Sequence, residues 1–308
     1  MSEARRVRQA SRLAVCLFLA VGLAEGTARV AKFETGYFEV PTRANCLQRS
    51  RVLGMEFARN CKGGVSYTDF QTNEVGLRDS GIRDDGSVRI LALGDSCTWG
   101  WAVAQSETYP SVLQALLNGR PGSTRYRVIN AGRPGYGSYQ GLVYLREFGL
   151  SFDPAIVIIG FGFNDAYRPG DIEREIEWQR RWLAVLEVDD FFMSYSRFWR
   201  WLRWQTVPAN PHLNSRPVGS PDKYKENMER IVELVRERGG KPLLLSFWDP
   251  LVTETLPYRD VISELGAGLA VPIVVYSGPR MDIVHPTREG YISLATDLVR
   301  VLEVKGLL

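Results

Sequence analysis

The 308-residue chain predicts an α/β fold in which a parallel sheet is covered by helices on both faces. Two observations predict it. From residue 88 onward, short runs rich in Val, Ile and Leu alternate with longer segments of helical periodicity. The hydrophobic content of 45% with 24% charged residues is that of a globular chain, long enough for one large domain and an appendage.

Each element follows from its local pattern. Residues 88–93 form the first β run, with a helix around 109–118 after it. Residues 126–130 make the second strand and precede a helix around 140–148, and residues 155–161 make the third. Residues 223–238 place Met228, Ile231, Val232 and Val235 on one helical face, and Gly239-Gly240 ends that helix. Residues 242–247 and 272–276 are short apolar strands, and residues 286–302 form the closing helix, with Pro286 at its first turn. Ahead of the first strand lies an irregular extension rich in Gly, Asn and Arg, whose end, Asn73 to Asp79, leads into the core. The expected division is therefore a signal or anchor segment at 1–32, the extension at 33–87, and the main domain at 88–308 with an insert at 170–222.

Charge locates the head of the chain. Residues 1–32 carry Arg5, Arg6, Arg8, Arg12, Arg29 and Lys32 against Glu3 and Glu25, which is +4. The whole chain is +3, so the remainder is −1, and no basic face for nucleic acid is implied. Four of those arginines precede residues 13–24, a run of twelve uncharged residues. That pattern fits a signal-peptide core or a membrane anchor, with the basic end in the cytoplasm and the body exported. The alternative is a buried N-terminal helix of a soluble protein. Arg5-Arg6 lacks the rest of a twin-arginine signal, and the apolar run continues past Cys16, unlike a lipidation site. Cys46 and Cys61 flank a 14-residue loop in the extension. In an oxidising compartment they can pair, and in a reducing one they stay free thiols.

Four short segments carry the chemistry, in fixed order: Leu93-Gly94-Asp95-Ser96, then Asn130-Ala131-Gly132-Arg133-Pro134-Gly135, then Gly162-Phe163-Asn164-Asp165, then Asp282-Ile283-Val284-His285-Pro286. The first three follow strands, where function sits in open parallel sheets. Ser96 stands at a strand-to-helix turn. It is a helix N-cap or, with the other segments, a nucleophile whose developing charge the helix N-terminus favours. The surrounding residues are not the Gly-x-Ser-x-Gly elbow. Asp282 stands three residues before His285, so its carboxylate can hold the imidazole Nδ1–H and leave Nε2 for a serine hydroxyl. His212, the other histidine, reads as a solvated residue of a Pro/Asn loop. Asp95 and Asp165 read as braces of their turns, and Cys97 as buried filler.

Together these segments resemble the sequence blocks of the SGNH (GDSL-type) hydrolase superfamily over roughly residues 88–304. The resemblance implies a flavodoxin-like three-layer sandwich with a mainly parallel five-stranded sheet. It also implies a serine esterase, lipase, thioesterase or related acyl hydrolase. Its catalytic residues would be Ser96, Asp282 and His285. Its oxyanion donors would be the Ser96 N–H, a glycine N–H of the second segment and the Asn164 side chain. Spacing from Asn130 in the family favours Gly135 for that glycine, with Gly132 allowing the strand exit.

The expected activity is hydrolysis of a small-molecule, lipid or glycan ester by an exported, extracytoplasmic enzyme that needs no cofactor and no metal. Transfer of the acyl group to a polysaccharide or other cell-envelope hydroxyl uses the same residues. A non-catalytic carbohydrate-binding or scaffold protein on this fold is the alternative of another class. The insert interleaves Trp182, Phe191, Phe192, Tyr195, Phe198, Trp199, Trp201 and Trp204 with Arg197, Arg200 and Arg203. Such a stretch serves as a lid, an acyl-binding wall or a membrane contact, or packs its rings on the core and exposes its arginines.

Overall fold

The computed structural model describes residues 3–33, 46–65, 68–82, 84–122, 124–167, 171–206, 220–247 and 256–308. The chain opens with helix α1 (Glu3–Val30) and two antiparallel hairpins, β1 (Leu47–Ser50) with β2 (Gly54–Phe57) and β3 (Lys62–Val65) with β4 (Thr68–Gln71). Then come β5 (Val88–Gly94), α2 (Ser96–Trp99), α3 (Tyr109–Asn118), β6 (Tyr126–Gly132), α4 (Ser138–Glu147), β7 (Ile156–Gly160) and α5 (Phe163–Tyr167). Three helices of the insert follow, α6 (Ile172–Arg181), α7 (Leu183–Tyr195) and α8 (Arg197–Thr206). The chain closes with α9 (Pro221–Glu237), β8 (Lys241–Ser246), α10 (Leu256–Gly268), β9 (Ile273–Val275) and α11 (Arg288–Val304).

The sheet runs β6-β5-β7-β8-β9 with every neighbouring pair parallel. This is the flavodoxin-like order, 2-1-3-4-5. Strand side chains alternate between faces. Leu91, Leu93, Val157 and Ile159 point to α4, α9 and α10, where they meet Leu145, Met228, Ile231 and Leu265. Ile90, Ala92, Ile156 and Ile158 point to α3 and α11, where they meet Leu113, Leu117, Leu294 and Leu298. Both faces are buried, which is why these strands read as continuous apolar runs.

Three local expectations are corrected. The extension is not irregular where it is described: β1 pairs with β2 and β3 with β4, and Leu53 and Leu77 sit in the main core. Short four-residue strands containing Gly54, Gly63 and Gly64 give little period-2 signal, and their pairing supplies the order. Helix α11 begins at Arg288 and not at Pro286. Thr287 is its N-cap, accepting the Gly290 N–H at 3.2 Å, and Pro286 instead bridges to Arg280. Helix α4 starts two residues earlier than its periodicity suggested, at Ser138, because Asp165 accepts the Ser138 N–H at 2.9 Å and so supplies the cap from another segment. His212 lies outside the described residues.

Register brings the motif segments together. Gly94 of β5 is paired with Gly132 of β6 and Gly160 of β7. The three strands therefore end at one level, and the segments that follow leave the sheet along a common edge. A Cβ on Gly132 would stand 2.1 Å from the Trp99 nitrogen and 2.6 Å from its Cα. The first turn after Ser96 can approach β6 only because that Cβ is missing. Gly132→Ala is accordingly expected to destabilise the fold by about 2–3 kcal/mol, as overpacking against a backbone that cannot yield does. Denaturant unfolding at constant m-value measures it, and an unchanged midpoint would contradict the packing.

Candidate active site

Helix α2 presents Ser96 at its N-terminus. Asp95 precedes it as N-cap, with a side-chain oxygen accepting the Cys97 N–H at 2.9 Å. The opposite end of α2 is held by Arg78, from the extension. The guanidinium of this fully buried arginine lies 4.2 Å over the Trp99 ring. It donates to the carbonyls of Trp99 (3.1 Å), Gly100 (2.6 Å) and Val103 (2.6 Å). A cation at a helix C-terminus satisfies carbonyls the helix cannot. Burial draws the Arg78 pKa down to about 10, which still leaves it charged at neutral pH. Its neighbour Asp79 pairs with Arg127 and accepts the Asn130 N–H at 2.9 Å, tying the extension to β6 as well.

Ser96 Oγ lies 2.8 Å from His285 Nε2, and His285 Nδ1 lies 2.7 Å from Asp282 Oδ2. The other oxygen of Asp282 accepts the N–H groups of Val284 (2.9 Å) and His285 (2.7 Å). Burial opposes ionisation of Asp282, but the His285 ring and these two N–H groups outweigh it and hold the carboxyl below its ordinary range. The loop carrying the pair is a closed turn. Met281 N–H donates to the His285 carbonyl at 2.9 Å, Thr287 N–H to the Pro279 carbonyl at 3.0 Å, and Arg280 to the carbonyl of Tyr276 at 2.9 Å. On the open side the Trp101 ring stacks on His285, with centroids 5.3 Å apart and planes at 17°. Trp101 in turn meets Trp99, which packs with Phe57 and Phe70 of the hairpins beside the Cys46–Cys61 disulfide.

The second and third segments face the same edge. Gly135 is exposed and has φ of +78°, with no atom near the position a Cβ would take. The turn around it therefore needs glycine for its backbone and not for space. Asn164 Nδ2 donates to the Tyr136 carbonyl at 2.9 Å, which binds the third segment to the Gly135 turn. Asp165 accepts the Ser138 hydroxyl at 2.5 Å as well as its N–H, and braces the start of α4. Cys97 is fully buried, and burial raises its thiol well above the ordinary value, so it stays protonated. Among the described residues, the structure thus brings together Ser96, Asp282 and His285, and Gly135 with Asn164. Arg78, Asp79, Trp101 and Arg280 complete the surroundings. The sequence signals their importance only weakly: eight residues separate Arg78-Asp79 from the first sheet strand, and Trp101 follows Ser96 by five residues.

Asp95 gives the site a pH signature. Burial, with the nearby Asp165 charge, raises its pKa to about 7 from an ordinary 3.8. The native carboxyl keeps its proton up to about pH 7, whereas the unfolded chain releases it near pH 4. The unfolded state binds fewer protons across that window, so this group makes stability fall as pH rises from about 4 to 7, by on the order of a few kcal/mol. Asp282, shifted the other way, acts only in more acidic solution. Asp95→Asn keeps the capping oxygen and is expected to flatten the decline. Melting temperatures at about pH 5 and pH 8 test it, and an equal decline in the variant would contradict it.

Residues 92–291 match the model of the GDSL-like lipase/acylhydrolase family. No curated protein matches the chain. Among solved structures, it is similar to the lipase/acylhydrolase from Enterococcus faecalis at 20% identity and a TM-score of 0.48, covering 71% of this chain and 96% of that one. It is similar to the psychrotrophic esterase EstA from Pseudoalteromonas sp. at 14% identity and a TM-score of 0.48, covering 70% and 96%. It is similar to a GDSL-like lipase from Bacteroides thetaiotaomicron at 20% identity and a TM-score of 0.43, covering 73% and 92%. Since the family model spans 92–291 of 308 residues and so includes the Ser96, Gly135, Asn164 and His285 segments, the chain belongs to the GDSL-like lipase/acylhydrolase family.

Proposed function

We propose that this family member is an exported, membrane-anchored serine esterase. The observation that carries the reading is the continuous chain from Ser96 Oγ through His285 to Asp282, with contacts of 2.8 and 2.7 Å, at the carboxyl edge of the sheet. Ser96 Oγ attacks the ester carbonyl carbon as His285 Nε2 takes its proton. Asp282 holds the ring through Nδ1 and stabilises the imidazolium. The oxyanion is received by the N–H groups of Ser96 and Gly135 and by the Asn164 amide, which has a second N–H beyond the one donated to Tyr136. His285 returns the proton to the leaving alcohol, and a water activated by the same ring releases the acid.

Export is supported by α1. Its apolar residues face outward, with Leu13, Phe18 and Leu23 all exposed, and the Val7–Val30 stretch is long and apolar enough to cross a membrane. Arg5, Arg6, Arg8 and Arg12 gather at its N-terminal end, so the body is on the far side from the cytoplasm. The Cys46–Cys61 bond suits an oxidising compartment. A reporter fused after Lys32 tests this, and activity only of a cytoplasm-dependent reporter would refute it. The chemistry is tested with the full chain in detergent on p-nitrophenyl esters of increasing acyl length. Turnover that tracks chain length identifies the acyl class, and absence of turnover on every ester would sink the reading. Product analysis with a labelled acyl donor separates hydrolysis from transfer to an added glycan.

A further inference from the structure

Helix α7 is built the wrong way round for a water-facing surface helix. Its inward face holds Leu183, Met193 and the carboxylate of Asp190, which accepts two N–H groups of Arg49 at 2.6 and 2.9 Å. Its outward face holds Val188, Phe191, Phe192 and Tyr195, all exposed. Their spacing of i, i+3, i+4 and i+7 is that of one continuous apolar stripe. Trp178 and Trp182, also exposed, precede it on and just after α6. Water does not favour this arrangement, and an apolar phase does.

The corner where α7 meets α8 is joined to α1. Glu25, near the end of that helix, accepts the N–H groups of Arg197 and Phe198, each at 3.0 Å, and the Ser196 hydroxyl at 2.7 Å. It thereby caps the N-terminus of α8 from another helix. Arg29 pairs with Glu25 and donates to the Tyr195 carbonyl at 2.9 Å, where α7 ends. Arg197 donates to the Phe33 carbonyl at 3.0 Å, and the Phe33 and Trp201 rings lie 4.9 Å apart. Ala28 is completely buried at this joint, while residues 7–23 stand in the open. The helix that enters the membrane thus ends in a charged joint packed on the α7–α8 corner, which holds the body close to the surface that α1 enters.

We propose that the outward stripe of α7 lies in the interfacial layer of the membrane that α1 enters, and that Glu25 sets the angle at which the body is seated there. The occupant is a lipid surface, because the stripe is fixed to the helix that enters it, and aromatic rings are the side chains that settle at that depth. The inference rests on the anchor reading of α1. To test it, the full chain is reconstituted into phosphatidylethanolamine and phosphatidylglycerol vesicles doped with a lipid bearing a photoactivatable acyl chain, and the cross-linked residues are mapped by mass spectrometry. Labelling is expected both within residues 13–24 and on residues 188–195. In Glu25→Ala with an unchanged far-UV spectrum, the α1 labels should persist and those on α7 should fall several-fold. Labels on α1 alone in the unaltered chain would overturn the proposal and leave the anchor standing. No label on either helix would overturn both. Undiminished α7 labelling in Glu25→Ala would overturn the part assigned to Glu25.

Discussion

Ser96→Ala and His285→Ala are each expected to lower kcat on a p-nitrophenyl ester by roughly 10⁴–10⁶, the largest effect of any substitution in this protein. The two side chains touch at 2.8 Å, and in the proposed mechanism they act as one proton-transfer unit. Removing the hydroxyl takes away the nucleophile, and removing the ring leaves a neutral hydroxyl that attacks poorly. The double variant should therefore be little worse than either single one. The residual rate over water reflects the oxyanion donors and binding alone. Ser96 is a half-buried residue at a helix start whose cap is Asp95, so Ser96→Ala should melt close to the parent. Near-normal turnover by folded Ser96→Ala would remove the serine mechanism altogether.

Asn164→Ala should cost roughly 10²–10³ in kcat with KM little changed, equivalent to about 3–4 kcal/mol of transition-state stabilisation. In the proposed mechanism Asn164 is a preorganised donor, because one N–H of its amide already goes to the Tyr136 carbonyl at 2.9 Å, which fixes the plane of the other. That bond also holds the turn containing Gly135, so truncation loosens a second donor along with the first. The two contributions can be separated by temperature. A loosened turn lowers the melting point, whereas loss of the amide alone lowers only kcat. Steady-state kinetics on one soluble ester, with a melting curve beside it, makes the distinction. A change confined to KM would mean that Asn164 binds ground-state substrate and is no oxyanion donor.

Much of this molecule is legible in one dimension. The five sheet strands read as apolar runs because both of their faces are buried, and their ends agree with the structure to within two residues. The Asp282 and His285 contact is local, three residues apart on a closed turn, and so is visible as a motif. Likewise, Asp95 and Asp165 brace backbone N–H groups, the habit of short carboxylates at turns.

The rest is carried by contacts across long stretches of chain, which no local pattern encodes. Arg78 stabilises the far end of the helix that begins at Ser96, and Trp101 lies flat on an imidazole almost two hundred residues away. The extension looked irregular because its four-residue strands gain their order from pairing and from the cluster around Trp99. The start of α11 was misplaced because a Thr hydroxyl outcompetes a proline as the stop of the preceding loop.

By itself, then, the sequence determined the α/β class, the order of the strands along the chain, and the residue types available for acyl chemistry. These depend on periodicity and on neighbours a few residues apart. Only the tertiary structure decided that Gly94, Gly132 and Gly160 end side by side, and that the three turns beyond them share one edge with the Asp282 and His285 loop. It alone decided that the aromatic face of α7 turns outward from a buried Asp190, at the end of a helix joined to Glu25. The physical reason is common to both. Parallel register and buried ion pairs are bought with the loop entropy of closing long stretches of chain, and that balance is struck only by the folded whole.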